Sequence, residues 1–236
     1  MRNYLKFDNA YSYTYGVYIS GQGTFSAPTR EYNMLSIPGR NGDLVGTEKR
    51  FENIEVTYPA FIYSNFSTNI QNFRNFLLSH FGYFRLEDTY HPDEYRLAIY
   101  PGEFEPEVVS MNNAGSFDLV FNCKPQRFLK SGEAVTSITS TGTTVTNPTL
   151  FNSQPLLRVY GTGTLEIGTQ SITITDADTY TDIDCEMMDC FKGTANKNQY
   201  VQFSGHNFPV LKPGGNEFTF GAGITKVEVT PRWWII

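Results

Sequence analysis

Short runs of alternating apolar and polar residues, punctuated by Gly, Asn and Pro, recur along most of the chain. Such alternation sets one face of a run against a core and the other toward solvent, the pattern of half-buried β-strands. In the first part, residues 15–19 and 54–58 read this way. Between them, over about 21–50, apolar residues are sparse and Gly, Asn, Pro and Arg frequent. That composition predicts a long excursion instead of a compact hairpin, and loops of this length inside a compact domain usually serve an interaction. One segment has helical spacing instead: Phe66, Ile70, Phe73, Leu77 and Phe81 share a face, with Asn72, Asn75 and Ser79 opposite. Ser67 or Thr68 is placed to cap its start, His80 falls in its last turn, and Gly82 is placed to end it. A helix with one apolar stripe predicts cover for one side of a sheet.

Strand patterns resume after the helix over 83–87, 95–100, 103–110 and 116–128, the last with Phe117, Leu119, Phe121 and Cys123 on one face. From Lys130 to Pro148 the sequence turns to Ser, Thr and Gly. This composition shift predicts a linker, with a first domain over 1–130, the linker over 131–148 and a second domain over 149–236. The second domain repeats short strand patterns without a second helix, at a spacing that suits an antiparallel sandwich. The fold class is therefore mainly β, with 19 Phe and 15 Tyr favouring strands and 20 Gly and 12 Pro supplying turns.

Charge and chemistry narrow the function. With 18 basic against 24 acidic residues the net charge is −6, and the absence of any Lys/Arg block argues against nucleic-acid binding. No apolar run approaches a membrane span, and the first ten residues lack the apolar core of a signal peptide. Cys123, Cys185 and Cys190 lack metal-type clustering and read as reduced thiols, one pairing of Cys185 with Cys190 remaining open. His80, His91 and His206 show no metal spacing, and no nucleophile elbow, phosphate loop or dinucleotide fingerprint occurs. The expectation is thus no enzyme, no cofactor and no metal. Two features invite a second reading. In the run 182–187, Asp182, Asp184 and Glu186 alternate with Ile183, Cys185 and Met187, which predicts a strand with an outward acidic side and an inward apolar one, the alternatives being a calcium ligand set or a catalytic carboxylate pair. Trp233 and Trp234 form either a sugar-stacking platform or a docked terminus.

Several phrases, taken in order, carry a resemblance: Ser-Ile-Pro-Gly-Arg-Asn-Gly-Asp-Leu at 36–44, Phe-Asn-Cys-Lys-Pro-Gln-Arg-Phe-Leu at 121–129, and Pro-Leu-Leu-Arg-Val-Tyr-Gly at 155–161. Ile-Asp-Cys-Glu at 183–186, Phe-Pro-Val-Leu-Lys-Pro-Gly-Gly-Asn at 208–216 and Thr-Pro-Arg-Trp at 230–233 complete the set. Across nearly the whole chain they resemble the distal tail protein family of long, flexible-tailed bacteriophages. The resemblance implies a β-barrel-like first domain flanked by one helix, an arm reaching a neighbouring subunit, and a galectin-like or carbohydrate-module-like sandwich. It implies a virion structural protein, assembled in the bacterial cytoplasm, that forms a homohexameric ring joining the tail tube protein to the tail-tip protein. Under it the candidate interface residues are Pro38, Gly39, Arg40 and Gly42 in the arm and Arg232, Trp233 and Trp234 in the second domain. Thr149 and Cys185 depart from family habit, and the chain lacks the insertion with which some relatives hold a receptor-binding protein, leaving that partner open. The alternative function is a carbohydrate-binding module for host cell-wall polysaccharide.

Overall fold

The computed structural model describes residues 2–21, 25–102, 105–109 and 113–236, with the side chains of 47–49 and 206 also left aside. The chain forms two compact units, Met1–Arg127 together with Ile236, and Phe128–Ile235.

In the first unit the strands are β1 (Leu5–Phe7), β2 (Ala10–Tyr11), β3 (Val17–Ile19), β4 (Arg30–Leu35), β5 (Leu44–Phe51) and β6 (Ile54–Ile62). After the helix α1 (Phe66–Leu78) come β7 (Phe84–Asp88), β8 (Glu94–Ile99), β9 (Glu107–Val109) and β10 (Ala114–Cys123). The main sheet runs β2-β1-β7-β8-β10-β6-β3, with β9 beside β10. An isolated antiparallel bridge between Asn3 and Ile19 ties β3 back to the residues just before β1, so the sheet curls toward a barrel. Its interior follows from the predicted alternation. Phe117, Leu119, Phe121 and Cys123 of β10 are buried opposite Ala60, Tyr58, Val56 and Ile54 of β6, in that order. Edge-to-face and tilted ring contacts join Phe7, Tyr58, Tyr100 and Phe121 at centroid distances of 5.4–6.1 Å.

Helix α1 covers this core with Phe66, Phe73 and Leu77. Its start differs from the sequence expectation: Ser67 and Thr68 lie inside the helix, Asn65 in left-handed conformation is the cap, and the Asn65 and Phe66 N–H groups donate to Asn113. A partner distant in sequence thus supplies the acceptors that a local side chain was expected to provide. Phe81, expected on the apolar face, is 90% exposed because the helix has already ended. The strand expected over 103–110 lies partly outside the described residues, β9 being its described part. The strand expected over 116–128 breaks after Cys123, where Pro125 removes a ladder donor.

Strand β11 (Arg127–Leu129) begins on the last residue of the first unit, and the second unit then takes in β12 (Thr136–Ile138), β13 (Thr143–Asn147), β14 (Leu156–Gly161), β15 (Gly163–Ile167), β16 (Gln170–Ile174) and β17 (Tyr180–Asp184). It continues with β18 (Asp189–Lys192), β19 (Ala195–Asn196), β20 (Val201–Phe203), β21 (Gly214–Phe220), β22 (Ile224–Thr230) and β23 (Trp234–Ile235). Two antiparallel sheets, β12-β22-β14-β17-β18-β19 and β13-β21-β15-β16-β20, share one apolar core. The residues expected to be a linker are part of this sandwich: β12 and β13 pair with β22 and β21, and Ile138 and Val145 are buried. Ser and Thr alternating with single apolar residues are β-formers here, and their small size read as a spacer in the sequence.

All three cysteines are free and buried. Burial pushes the Cys123 and Cys190 thiols up to about 12, and Cys185 rises further under burial and the neighbouring Asp184 carboxylate. The thiolate is the reactive species. A thiol reagent at pH 8 is therefore expected to modify none of the three in the native chain and all three in denaturant, which mass spectrometry reads directly.

Candidate functional site

The arm is a hairpin and not the irregular excursion expected from its composition. Strands β4 and β5 pair antiparallel, with Leu35 opposite Leu44, Met34 opposite Val45 and Asn33 opposite Gly46, and form a sheet of their own. The Pro-Gly at its tip explains the turn. Arg40 N–H donates to the Ile37 carbonyl at 3.2 Å, and Pro38 and Gly39 occupy the central positions with Gly39 at φ 81°, the geometry of a type II turn. Gly42 also has φ 81°, and a Cβ at either glycine would meet nothing, so backbone conformation alone selects glycine there. At the root, Arg50 pairs with Glu31 at 3.2 Å and the Arg30 guanidinium sits 4.9 Å from the Phe51 ring centroid.

Cross-strand partners share a face. Leu35 and Leu44 therefore lie on one side of the hairpin and Met34 and Val45 on the other, with Tyr32 on the Met34 side. All five are about half exposed or more, from 47% to 59%. A hairpin meant to lie on its own domain has one apolar face, and one meant for water has none. This one has two. A free two-stranded sheet is marginal in water, so the arm has the character of a segment that is completed by insertion between other surfaces.

The predicted site residues fall in two places. Pro38, Gly39, Arg40 and Gly42 sit together at the exposed arm tip, and Arg40 makes no ion pair with a described residue. Arg232, Trp233 and Trp234 lie at the C-terminal end of the second unit, where each is engaged internally. Arg232 at φ 57° donates from Nη1 and Nη2 to the two Asp184 oxygens at 2.7 and 2.8 Å, and its N–H donates to the Gly132 carbonyl at 2.8 Å. Trp233 is 6% exposed in the core, and a Cβ on Gly132 would stand 2.3 Å from its backbone nitrogen. Trp234 stacks on Phe151 at 4.3 Å and donates Nε1–H to the Asn152 carbonyl at 2.9 Å. Within the single chain Arg232 is thus held by a buried carboxylate with its side chain 23% exposed, and Trp233 is held by the core. Trp233 and Trp234 therefore do not form a side-by-side pair at the surface: Trp233 is in the core and Trp234, half-buried, lies on Phe151. The residues missed in the sequence are Tyr32, Met34, Leu35, Leu44 and Val45; two short β-prone runs about a Pro-Gly pair were the available signal.

The acidic run is also rearranged. Asp182 and Asp184 are buried at 3% and 4% exposure, not outward, because Arg158 and Arg232 cover them. Burial opposes the Asp184 charge, but the Arg232 fork and the Met187 and Glu186 N–H groups outweigh it and hold the carboxyl below its ordinary value. Met187, expected inward, is 70% exposed at the tip of the β17–β18 turn. His80 and His91 are tied to Asp8 and Asp88 respectively, and the His206 side chain lies outside the described residues. Among the described residues no three metal-ligating side chains cluster, and no helix is long and apolar enough to cross a membrane.

Residues 11–123 match the family described as "Phage tail protein RIFT-related domain". The crystal structure of the Dit (gp 19.1) protein of phage SPP1, described as a paradigm of the hub adsorption apparatus in phages infecting Gram-positive bacteria, is similar over 100% of both chains. The TM-score is 0.78 at 15% identity, a likeness of fold. No curated protein matches the chain.

Proposed function

We propose that this chain, which carries a phage tail domain in its first half and the fold of a siphophage distal tail protein along its whole length, is the hub of a phage tail tip. It is a structural component of the virion tail. Copies close into a ring, six by the family resemblance, that joins the tail tube protein to the tail-tip protein and so to the host-attachment apparatus. The observation that carries this reading is the arm: a hairpin with apolar side chains on both faces has no use in a monomer and is complete when a neighbouring copy covers it. Such an arm makes a head-to-tail contact, and head-to-tail contacts close into rings when the rotation divides a full turn. The acidic balance of −6 suits a ring through which DNA passes, because a negative wall does not hold phosphate.

The test is mass against concentration. Sedimentation and negative-stain imaging of the purified chain are expected to give a closed ring of uniform size, with added tail tube or tail-tip protein binding to that ring. A monomer at every concentration, alone and with both partners present, overturns the reading.

A further inference from the structure

Inside the first unit, the turn between β7 and β8 folds over a small polar cavity of about 10 Å³ lined by Leu86, Asp88, His91, Glu94, Tyr95, Arg96 and Arg127. Asp88 is fully engaged. One of its oxygens accepts from the Tyr90 and His91 N–H groups at 2.9 and 2.8 Å and from His91 Nδ1 at 3.3 Å, and the other accepts from the Tyr58 hydroxyl at 2.7 Å. Glu94 forms an ion pair with Arg127. What remains is uneven. Arg96 is 8% exposed, its Nη1 is buried without a hydrogen-bond partner, and the same holds for His91 Nε2 and for Glu94 Oε2 apart from its ion pair.

A buried guanidinium nitrogen whose N–H groups lack an acceptor is costly, and here burial works to lower the Arg96 pKa. The three atoms call for complementary things. Arg96 Nη1–H can only donate and Glu94 Oε2 can only accept. His91, with Nδ1–H given to Asp88, presents Nε2 as an acceptor. An anion would satisfy Arg96 but would face Glu94 and Asp88 at once, and a cation would face Arg96 and Arg127. Only a group that both donates and accepts serves all three, and the cavity has room for about one water molecule.

We infer that this cavity is a binding site for a single ordered water, which accepts from Arg96 Nη1 and donates to His91 Nε2 and Glu94 Oε2. The water joins two otherwise separate groups, the Tyr58–Asp88–His91 chain and the Glu94–Arg127 pair, into one network across the β7–β8 turn. Its reach extends to the arm. Phe25, in the segment leading into β4, packs edge-to-face on the His91 ring at 5.5 Å, so the water that fixes His91 also fixes this contact.

A crystal structure of the full chain at a resolution that shows ordered solvent, together with a bromide soak, tests the site. One water peak within hydrogen-bond distance of all three atoms is expected, with no anomalous bromide peak. A bromide peak in the cavity would assign an anion site instead, and a direct Arg96–Glu94 contact with the cavity closed would leave no site at all; either sinks the inference. In Arg96→Met the peak should be lost while the Glu94–Arg127 pair stays, and a water that persists there removes Arg96 from the site. Should that variant not fold, ¹⁵N-histidine spectra of the native chain still decide. A His91 proton on Nδ1, facing Asp88, is expected, and the Nε2–H tautomer contradicts the network.

Discussion

Replacing Asp184 by alanine is expected to destabilise the second unit by roughly 3–5 kcal/mol, because it strips one partner from a buried ion pair and leaves the other uncompensated. Four donors lose their acceptor together: two from the Arg232 fork and the N–H groups of Glu186 and Met187. Arg232 also holds a left-handed backbone at φ 57°, a conformation that a non-glycine residue keeps only where its surroundings fix it. Losing the fork therefore loosens the segment that seats Trp233 in the core. The midpoint of chemical denaturation, followed by tryptophan fluorescence, reads this directly, since both tryptophans lie in this unit. The acid limb adds a second signature. A carboxyl whose folded pKa lies below its unfolded value contributes stability that is present above the unfolded pKa and is lost as pH falls through the folded one. The native second unit should lose part of its stability below about pH 4 from this source, and in Asp184→Ala that part of the slope should vanish. Asp182→Ala makes the useful comparison, because its partner Arg158 has a side chain 42% exposed against 23% for Arg232 and can turn to water. A loss below 1 kcal/mol for Asp184→Ala would show that the pair is solvated and that Arg232 is free for an outside contact.

The C-terminal residues also mark the limit of what the sequence disclosed. Alternation placed Leu119 and Phe121 in the first core and Ile183 in the second, because one buried face per strand is a local property. The helix was legible for the same reason, although its cap was not: the acceptors come from Asn113, far along the chain. The internal partners of Arg232, Trp233 and Asp184 were not legible for a related cause. Carboxylates at 182 and 184 read as a solvated edge until tertiary contacts bring arginines from distant parts of the chain over them. The reading of 131–148 as a linker failed by composition, since small polar residues serve a sandwich strand as well as a spacer. In the arm, sparse apolar residues suggested an irregular loop, while the pairing that matters, Leu35 with Leu44 and Met34 with Val45, exists only once Pro38 and Gly39 have turned the chain.

That pairing separates a stabilising hairpin from an assembling one. Met34→Asp and Leu35→Asp place a carboxylate on opposite faces of the same strand, at positions 58% and 59% exposed in the single chain. Because neither side chain supports the first unit's core, each variant should unfold within about 0.5 kcal/mol of the parent. In a ring the outcome differs. A face covered by a neighbour would have to bury an unpaired carboxylate at a cost of several kcal/mol, so self-association should weaken about a hundredfold or more. Sedimentation at fixed concentration then reports each face separately. Loss of the ring in both variants means that the arm is clasped from two sides. Loss in one alone means that it lies across a single surface, with the other face left to a different tail protein. Rings of parental mass and stability in both would show that the arm is not the contact, and the search for the interface would move to the exposed apolar residues Leu78, Phe81 and Tyr83 at and beyond the end of the helix.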